Sequence, residues 1–228
     1  MYILSAIIIL VVIIALAAVL PMCFMHPLPS GKVEGTEITA IKNRSNNLFF
    51  IPAGESWIVI DAGSDSGAVQ SEIEHLSIDA GKVLGVFLTH TDYDHVASLP
   101  LFSNATIYMS EQEKQMIDGS TYRQLIKKNK LPESCNADRI VYLSDNEVVE
   151  LGGHRVRSIW VPGHTKGSAI YAVDEEYLFT GDAFKVDKGR LTVHPYTMDR
   201  TRACEAISKI EKERGKYEKV FTAHYGRL

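Results

Sequence analysis

Leu88-Thr89-His90-Thr91-Asp92-Tyr93-Asp94-His95 puts four potential metal ligands, His90, Asp92, Asp94 and His95, within six residues directly after an apolar run. Imidazole and carboxylate together suit zinc, iron, manganese or cobalt. A tight loop leaving a strand can turn His90 and Asp92 one way and Asp94 and His95 another, which is enough for two ions. The bland reading of the same residues is a loop whose aspartates cap the next helix and whose histidines lie at the surface.

Working outward, three later segments repeat one design, an apolar run followed by small residues and a single ligand: Ile159-Trp160-Val161-Pro162-Gly163-His164, Leu178-Phe179-Thr180-Gly181-Asp182 and Val220-Phe221-Thr222-Ala223-His224. Singly each is weak, because a lone histidine after a strand is more often structural. Strand ends gathered at one rim of a sheet would bring all of them into one cleft. The surrounding pattern fits. Apolar and β-branched runs at Ile38–Ile41, Asn47–Ile51, Trp57–Ile60, Val83–Thr89, Arg139–Leu143, Glu147–Leu151, Arg155–Val161, Ser168–Val173, Tyr177–Thr180 and Lys219–Ala223 read as strands. Helical spacing predicts helices over Gly67–Asp79, with Val69, Ile73 and Leu76 inward, and over Arg200–Glu213, with Ala203, Ile207 and Ile210 inward. Ser110 with Glu113 makes a capping-box pattern before a short helix, and Tyr122–Lys130 reads as a further, basic helix. The expected fold class is α+β, two sheets packed face to face and covered by helices, a four-layer αββα sandwich.

These motifs resemble the metallo-β-lactamase-fold superfamily, whose signature reads His-x-His-x-Asp-His followed by a downstream His, an Asp and a last His. The likeness runs from about Ile38 to the carboxyl end, and Pro162-Gly163-His164-Thr165-Lys166-Gly167-Ser168 and Thr180-Gly181-Asp182 look like glyoxalase-type members. The resemblance implies that His90, Asp92 and His164 hold one divalent ion and Asp94, His95 and His224 a second, with Asp182 bridging. It also implies that Asp61, in Ile60-Asp61-Ala62-Gly63, supports the metal loop. Zinc is the first expectation, with iron or manganese as alternatives. The departure is Asp92, where the family has His; it resembles the carboxylate variant of flavodiiron proteins and of some DNA-uptake-associated members. An extra carboxylate would make the two-ion core formally neutral, weaken its Lewis acidity and tilt it towards iron or manganese.

The function implied is a binuclear metal-dependent hydrolase that uses a metal-bridging hydroxide, oriented by Asp94, to cleave an ester, thioester or lactone of a small-molecule substrate. A di-iron oxidoreductase of the flavodiiron or sulfur-dioxygenase type and a non-catalytic binding module are the alternatives. The chain ends soon after His224, so the extra region with which glyoxalase II binds glutathione conjugates is expected to be lacking. His194, Tyr196, Tyr225 and Tyr93 lie near ligand positions and are candidates to face substrate, although ordinary packing is the simpler account of each; His26, His75 and His154 match no ligand position.

Composition bounds the rest. The 228 residues are 46% hydrophobic and 23% charged with a formal charge of −4, a globular balance that lacks the basic block of a nucleic-acid binder. Cys23, Cys135 and Cys204 are too few and scattered for a disulfide framework. From Ile3 to Leu20 the chain carries no charge and one polar residue, Ser5. As a helix this run would span roughly 27 Å, near the ~30 Å core of a bilayer. The expectation is therefore a single-pass membrane anchor over residues 1–25, a linker over 26–32 and the catalytic domain over 33–228. The positive-inside bias of Lys32, Lys42 and Arg44 leans weakly towards a cytoplasmic body.

Overall fold

Continuous apolar runs such as Leu48-Phe49-Phe50-Ile51 cannot alternate in and out of water, so they demand strands covered on both faces. The computed structural model, which describes residues 7–12, 19–123 and 128–228, meets that demand with two sheets. The first holds seven strands in sequential order: β1 (Gly31–Lys32), β2 (Thr39–Asn43), β3 (Asn46–Ala53), β4 (Ser56–Ile60), β5 (Val83–Phe87), β6 (Thr106–Ser110) and β7 (Ile140–Leu143). It is antiparallel from β1 to β4 and parallel from β4 to β7. The second contains β8 (Val148–Leu151), β9 (His154–Trp160), β10 (Ala169–Val173), β11 (Tyr177–Phe179) and β14 (Lys219–Phe221), in the order β14-β11-β10-β9-β8. Between β11 and β14 lies a separate hairpin, β12 (Phe184–Asp187) with β13 (Arg190–Val193).

Three buried clusters divide the strand faces. Phe49, Ile58, Ile60 and Phe87 of the first sheet meet Val156, Tyr171, Phe179 and Phe221 of the second, with Phe179 stacked on Phe221 at 5.0 Å. On the outer face of the first sheet, Phe50, Val59 and Val86 pack with Val69 and Ile73 of the helix Ser66–His75. On the outer face of the second, Ile170, Leu178 and Val220 pack with Ala206 and Ile210 of the helix Arg200–Glu213. Strand parity does this sorting: Phe49 and Phe50 are neighbours in sequence, yet one points between the sheets and the other at a helix.

Three departures from expectation have local causes. Strand β6 has only two fully buried apolar side chains, Ile107 and Met109, and polar ends, too short an alternation to stand out. The β12–β13 hairpin turns on Lys188 and Gly189, both at positive φ (48° and 73°), a two-residue turn usually written with Asn-Gly. In the expected helix Tyr122–Lys130, residues 124–127 lie outside the described residues, and Tyr122, Arg123 and 128–130 are not helical.

The membrane anchor is corrected. Among the described residues no helix is long and apolar enough to cross a membrane. Helical residues 7–12 would rise about 9 Å, far short of the ~30 Å required; residues 1–6 and 13–18 lie outside the described residues. Pro21 then opens a 3-10 turn, Leu20–Phe24, and the chain is pinned to the body: the His26 amide donates to the His224 carbonyl at 2.8 Å, and Leu28 and Asn47 exchange hydrogen bonds at 2.7 and 2.9 Å. An apolar run read from composition gave no sign of these contacts. The expectations of a membrane partner and a membrane location fall with the anchor.

Candidate metal centre

Strand β5 ends at Phe87, and the ligand loop follows before the short helix Tyr93–Val96. Asp92 stands at the N-cap of that helix but makes no capping hydrogen bond with its side chain. Its carboxylate therefore does not serve as a cap, against the bland reading of the loop. His90 and His95 are 1% and 0% exposed, far from the surface position the same reading required.

The loop is held from beneath by Asp61, which follows β4 and is itself buried. Its carboxylate accepts from the Thr89 amide (2.8 Å), the Thr89 hydroxyl (2.9 Å) and His95 Nδ1 (2.9 Å). Donation from Nδ1 fixes the His95 tautomer and leaves Nε2 facing the cleft. His224 is oriented the same way, its Nδ1 donating to the Ser45 carbonyl at 2.6 Å. The two rims are tied by Glu113, whose buried carboxylate accepts from the Thr91 amide (2.8 Å), the Thr91 hydroxyl (2.7 Å) and the Thr165 hydroxyl (2.6 Å). Ser110 does cap the turn through the Glu113 amide, but the glutamate side chain turns inward instead of closing a capping box.

All seven sequence-derived candidates come together. His164 Nε2 and His90 Nε2 lie 3.2 and 3.4 Å from Asp92 Oδ2; His224 Nε2 and His95 Nε2 lie 3.4 and 3.7 Å from Asp94 Oδ2. Asp182 lies between the two sets, its Oδ1 3.1 Å from His224 and its Oδ2 3.5 Å from His164 and 3.6 Å from His95. The trios His90/Asp92/His164 and Asp94/His95/His224 each bring their ligand atoms within 4.8 Å of one another. His194, at the end of β13, joins His164 and Asp182 in a further trio, with Nε2 3.8 Å from Asp182 Oδ2. Its place in the wall follows from the unforeseen hairpin.

The donor set fits divalent cations on the structure's own terms. His90 Nε2, His95 Nε2 and His194 Nε2 are buried without a hydrogen-bond partner, a costly arrangement unless something positive completes it. Burial works against ionised Asp182, yet His224, His194 and His95 hold its carboxyl well below the usual range. Asp94, despite burial, is drawn down to about 2 by His95 and His224. In return, and against burial, Asp182 and Asp94 pull His224 up to about 10. A metal ion would compete with protons for these same lone pairs. Burial lowers His164 to about 4, keeping it neutral.

Gly181, between β11 and Asp182, makes this closeness possible. It has φ 51°, and a Cβ there would lie 2.2 Å from Thr89 Oγ1 and 2.6 Å from Thr89 Cβ. Gly181→Ala is expected to destabilise the fold by about 2–4 kcal/mol through overpacking and backbone strain, read as a lowered denaturant midpoint.

The cluster opens into a cavity of about 750 Å³ lined on its other side by Met22, Met25, Tyr122, Tyr196 and Met198. Of the residues considered for substrate contact, His194 and Tyr196 face this cavity, Tyr225 is buried against His26 and His194, and Tyr93 is 72% exposed. His154 pairs with Asp174 at 2.6 Å, away from the cluster.

Comparison with known proteins shows the family of this fold. The family model of the metallo-beta-lactamase superfamily matches residues 42–224. The chain is 31% identical over 131 residues to the probable polyketide biosynthesis zinc-dependent hydrolase BaeB of Bacillus velezensis, covering 56% of this chain and 49% of that one. It is 30% identical over 193 residues to the hydroxyacylglutathione hydrolase of Glaesserella parasuis, covering 82% and 69%. It is 27% identical over 177 residues to the metallo-beta-lactamase fold-containing protein ST1585 of Sulfurisphaera tokodaii, covering 70% and 62%. The crystal structure of ST1585 superposes with a TM-score of 0.63 at 21% identity, covering 84% of this chain and 80% of the other. The chain thus spans about half to two thirds of the length of these relatives.

Proposed function

The chain belongs to the metallo-beta-lactamase superfamily, and on that premise we propose that it is a hydrolase whose two divalent ions are held by His90, Asp92 and His164 and by Asp94, His95 and His224, with Asp182 between them, and whose substrate is a small ester, thioester or lactone. The observation that carries this is the set of buried, unpartnered imidazole nitrogens gathered around Asp182. Support for hydrolysis comes from relatives named as a zinc-dependent hydrolase and a hydroxyacylglutathione hydrolase.

Bound divalent ions would supply Lewis acidity towards a carbonyl oxygen and acidify a water. The chain's own residues do the rest. Asp61, Ser45 and Glu113 hold the ligand-bearing loops, so the imidazoles keep their orientation whatever enters the cavity. Asp94, the most open carboxylate of the cluster with a 36% exposed side chain, is placed to accept a hydrogen bond from an attacking water and so orient it. Met22, Met25 and Met198 give an adaptable apolar wall for an acyl group, and Tyr196 and His194 border the reacting end.

Removing divalent ions with a chelator from the full chain is expected to lower turnover of an active substrate by about a hundredfold or more, with recovery on adding zinc. The substrates to compare are thioesters, lactones, β-lactams and phosphodiesters. Hydrolysis that survives complete metal removal would overturn the reading, and bound iron with redox turnover would favour the oxidoreductase instead.

A further inference from the structure

Arg123 enters the cluster from the loop after Ser120 and grips the half of it that contains Asp92. Its Nη2 donates to Asp92 Oδ2 at 2.6 Å and lies 2.8 Å from His164 Nε2; its Nε reaches Asp92 Oδ1 at 3.3 Å. The remaining arm, Nη1, donates to the Tyr196 carbonyl at 2.7 Å, so the guanidinium is tied on its far side as well. Asn129 completes the shell, donating to Asp92 Oδ1 at 3.0 Å. Both oxygens of Asp92 are therefore occupied by protein donors.

His164 Nε2 is occupied too. An imidazole nitrogen has one lone pair, and it cannot both accept from a guanidinium and bind an ion. If Nε2 instead carried the proton and donated to Asp92 at 3.2 Å, the lone pair would again be absent. The other half of the cluster is different. No arginine or lysine pairs with Asp94 or Asp182 among the described residues, and the groups that face these two carboxylates are imidazoles, whose protons a metal ion can displace.

We infer that Arg123 is an internal cation that competes with a metal ion for the His90/Asp92/His164 set, so that the two halves of the centre load unequally. The Asp94/His95/His224 set, with Asp182, takes an ion first and tightly. The other set takes one only when the guanidinium gives way. Asp92 and Arg123 thus form a matched pair: the carboxylate adds a negative charge, and the guanidinium cancels it. This rests on reading the cluster as a metal centre and goes beyond it by ranking its two sites.

The test is zinc binding to the metal-stripped full chain, followed by calorimetry and by metal analysis after gel filtration, for the wild type, Arg123→Met and Arg123→Gln. Both substitutions remove the charge with different side-chain shapes, and unfolding curves report whether each variant folds. The wild type is expected to retain one zinc per chain and to bind a second at least ~10-fold more weakly; either neutral variant is expected to tighten the second step by ~10-fold or more. Two zinc ions of similar affinity in the wild type would overturn the inference while leaving the metal centre intact. So would a second step unchanged or weakened in both variants, which would make Arg123 a residue that only positions Asp92. No zinc bound by any of the three proteins would remove the metal-centre reading itself, and this ranking with it.

Discussion

Asp182→Ala is expected to lower kcat/KM by about a thousandfold or more, beyond the 10–100-fold typical when a residue merely supports a ligand. The size follows from how many groups share this carboxylate. Its two oxygens lie within 3.1 to 3.8 Å of Nε2 of His224, His164, His95 and His194, and the side chain is almost wholly buried. Without it, four imidazoles lose the one carboxylate they share, and any cation they bind loses that balancing charge. Metal content should fall together with activity, and Asp182→Asn, which keeps the volume but not the charge, should fail similarly. Steady-state kinetics with metal analysis on the same preparations decides it. Full turnover by Asp182→Ala would remove Asp182 from the chemistry.

The candidate ligands were legible in the sequence because chemistry constrains them twice. His90, Asp92, Asp94 and His95 crowd one loop, and His164, Asp182 and His224 each follow an apolar strand, so spacing and residue type point the same way. Phe49, Phe50 and Ile58 through Ile60 were equally legible, since only a strand covered on both faces explains such runs. The residues that hold or occupy the site were not. Glu113 carries a capping signature that describes its backbone but not its carboxylate. Arg123 lies in a stretch that reads as a basic helix, whereas its own side chain turns inward to Asp92. His194 depends on a hairpin whose Lys188-Gly189 turn lacks the usual residues. The apolar amino-terminal run shows the opposite error: hydropathy describes the side chains faithfully and says nothing of where the chain after Pro21 is tied. Long-range polar contacts have no period in sequence, and for that reason they surface only with the fold.

Asp61→Ala is expected to cost about 3–5 kcal/mol of stability, the range for breaking a buried charged pair by removing one partner. Three donors converge on this carboxylate: the Thr89 amide, the Thr89 hydroxyl and His95 Nδ1. None can turn to water, because Thr89 and His95 are 2% and 0% exposed. The backbone adds to the loss. Asp61 sits at φ 58°, a left-handed conformation that aspartate and asparagine tolerate and alanine does not. Asp61→Asn separates the two effects. It keeps the conformation and one acceptor oxygen, so the fold should lose only about 1–2 kcal/mol. It also points an amide at a donor and removes the charge that orients His95, so zinc affinity should still drop by about 10–100-fold. Chemical denaturation of the metal-free chain and zinc titration of the same samples read the two quantities apart. If Asp61→Asn binds zinc as the wild type does, His95 takes its orientation from packing alone, and the carboxylate beneath the loop is a folding residue with no part in the centre.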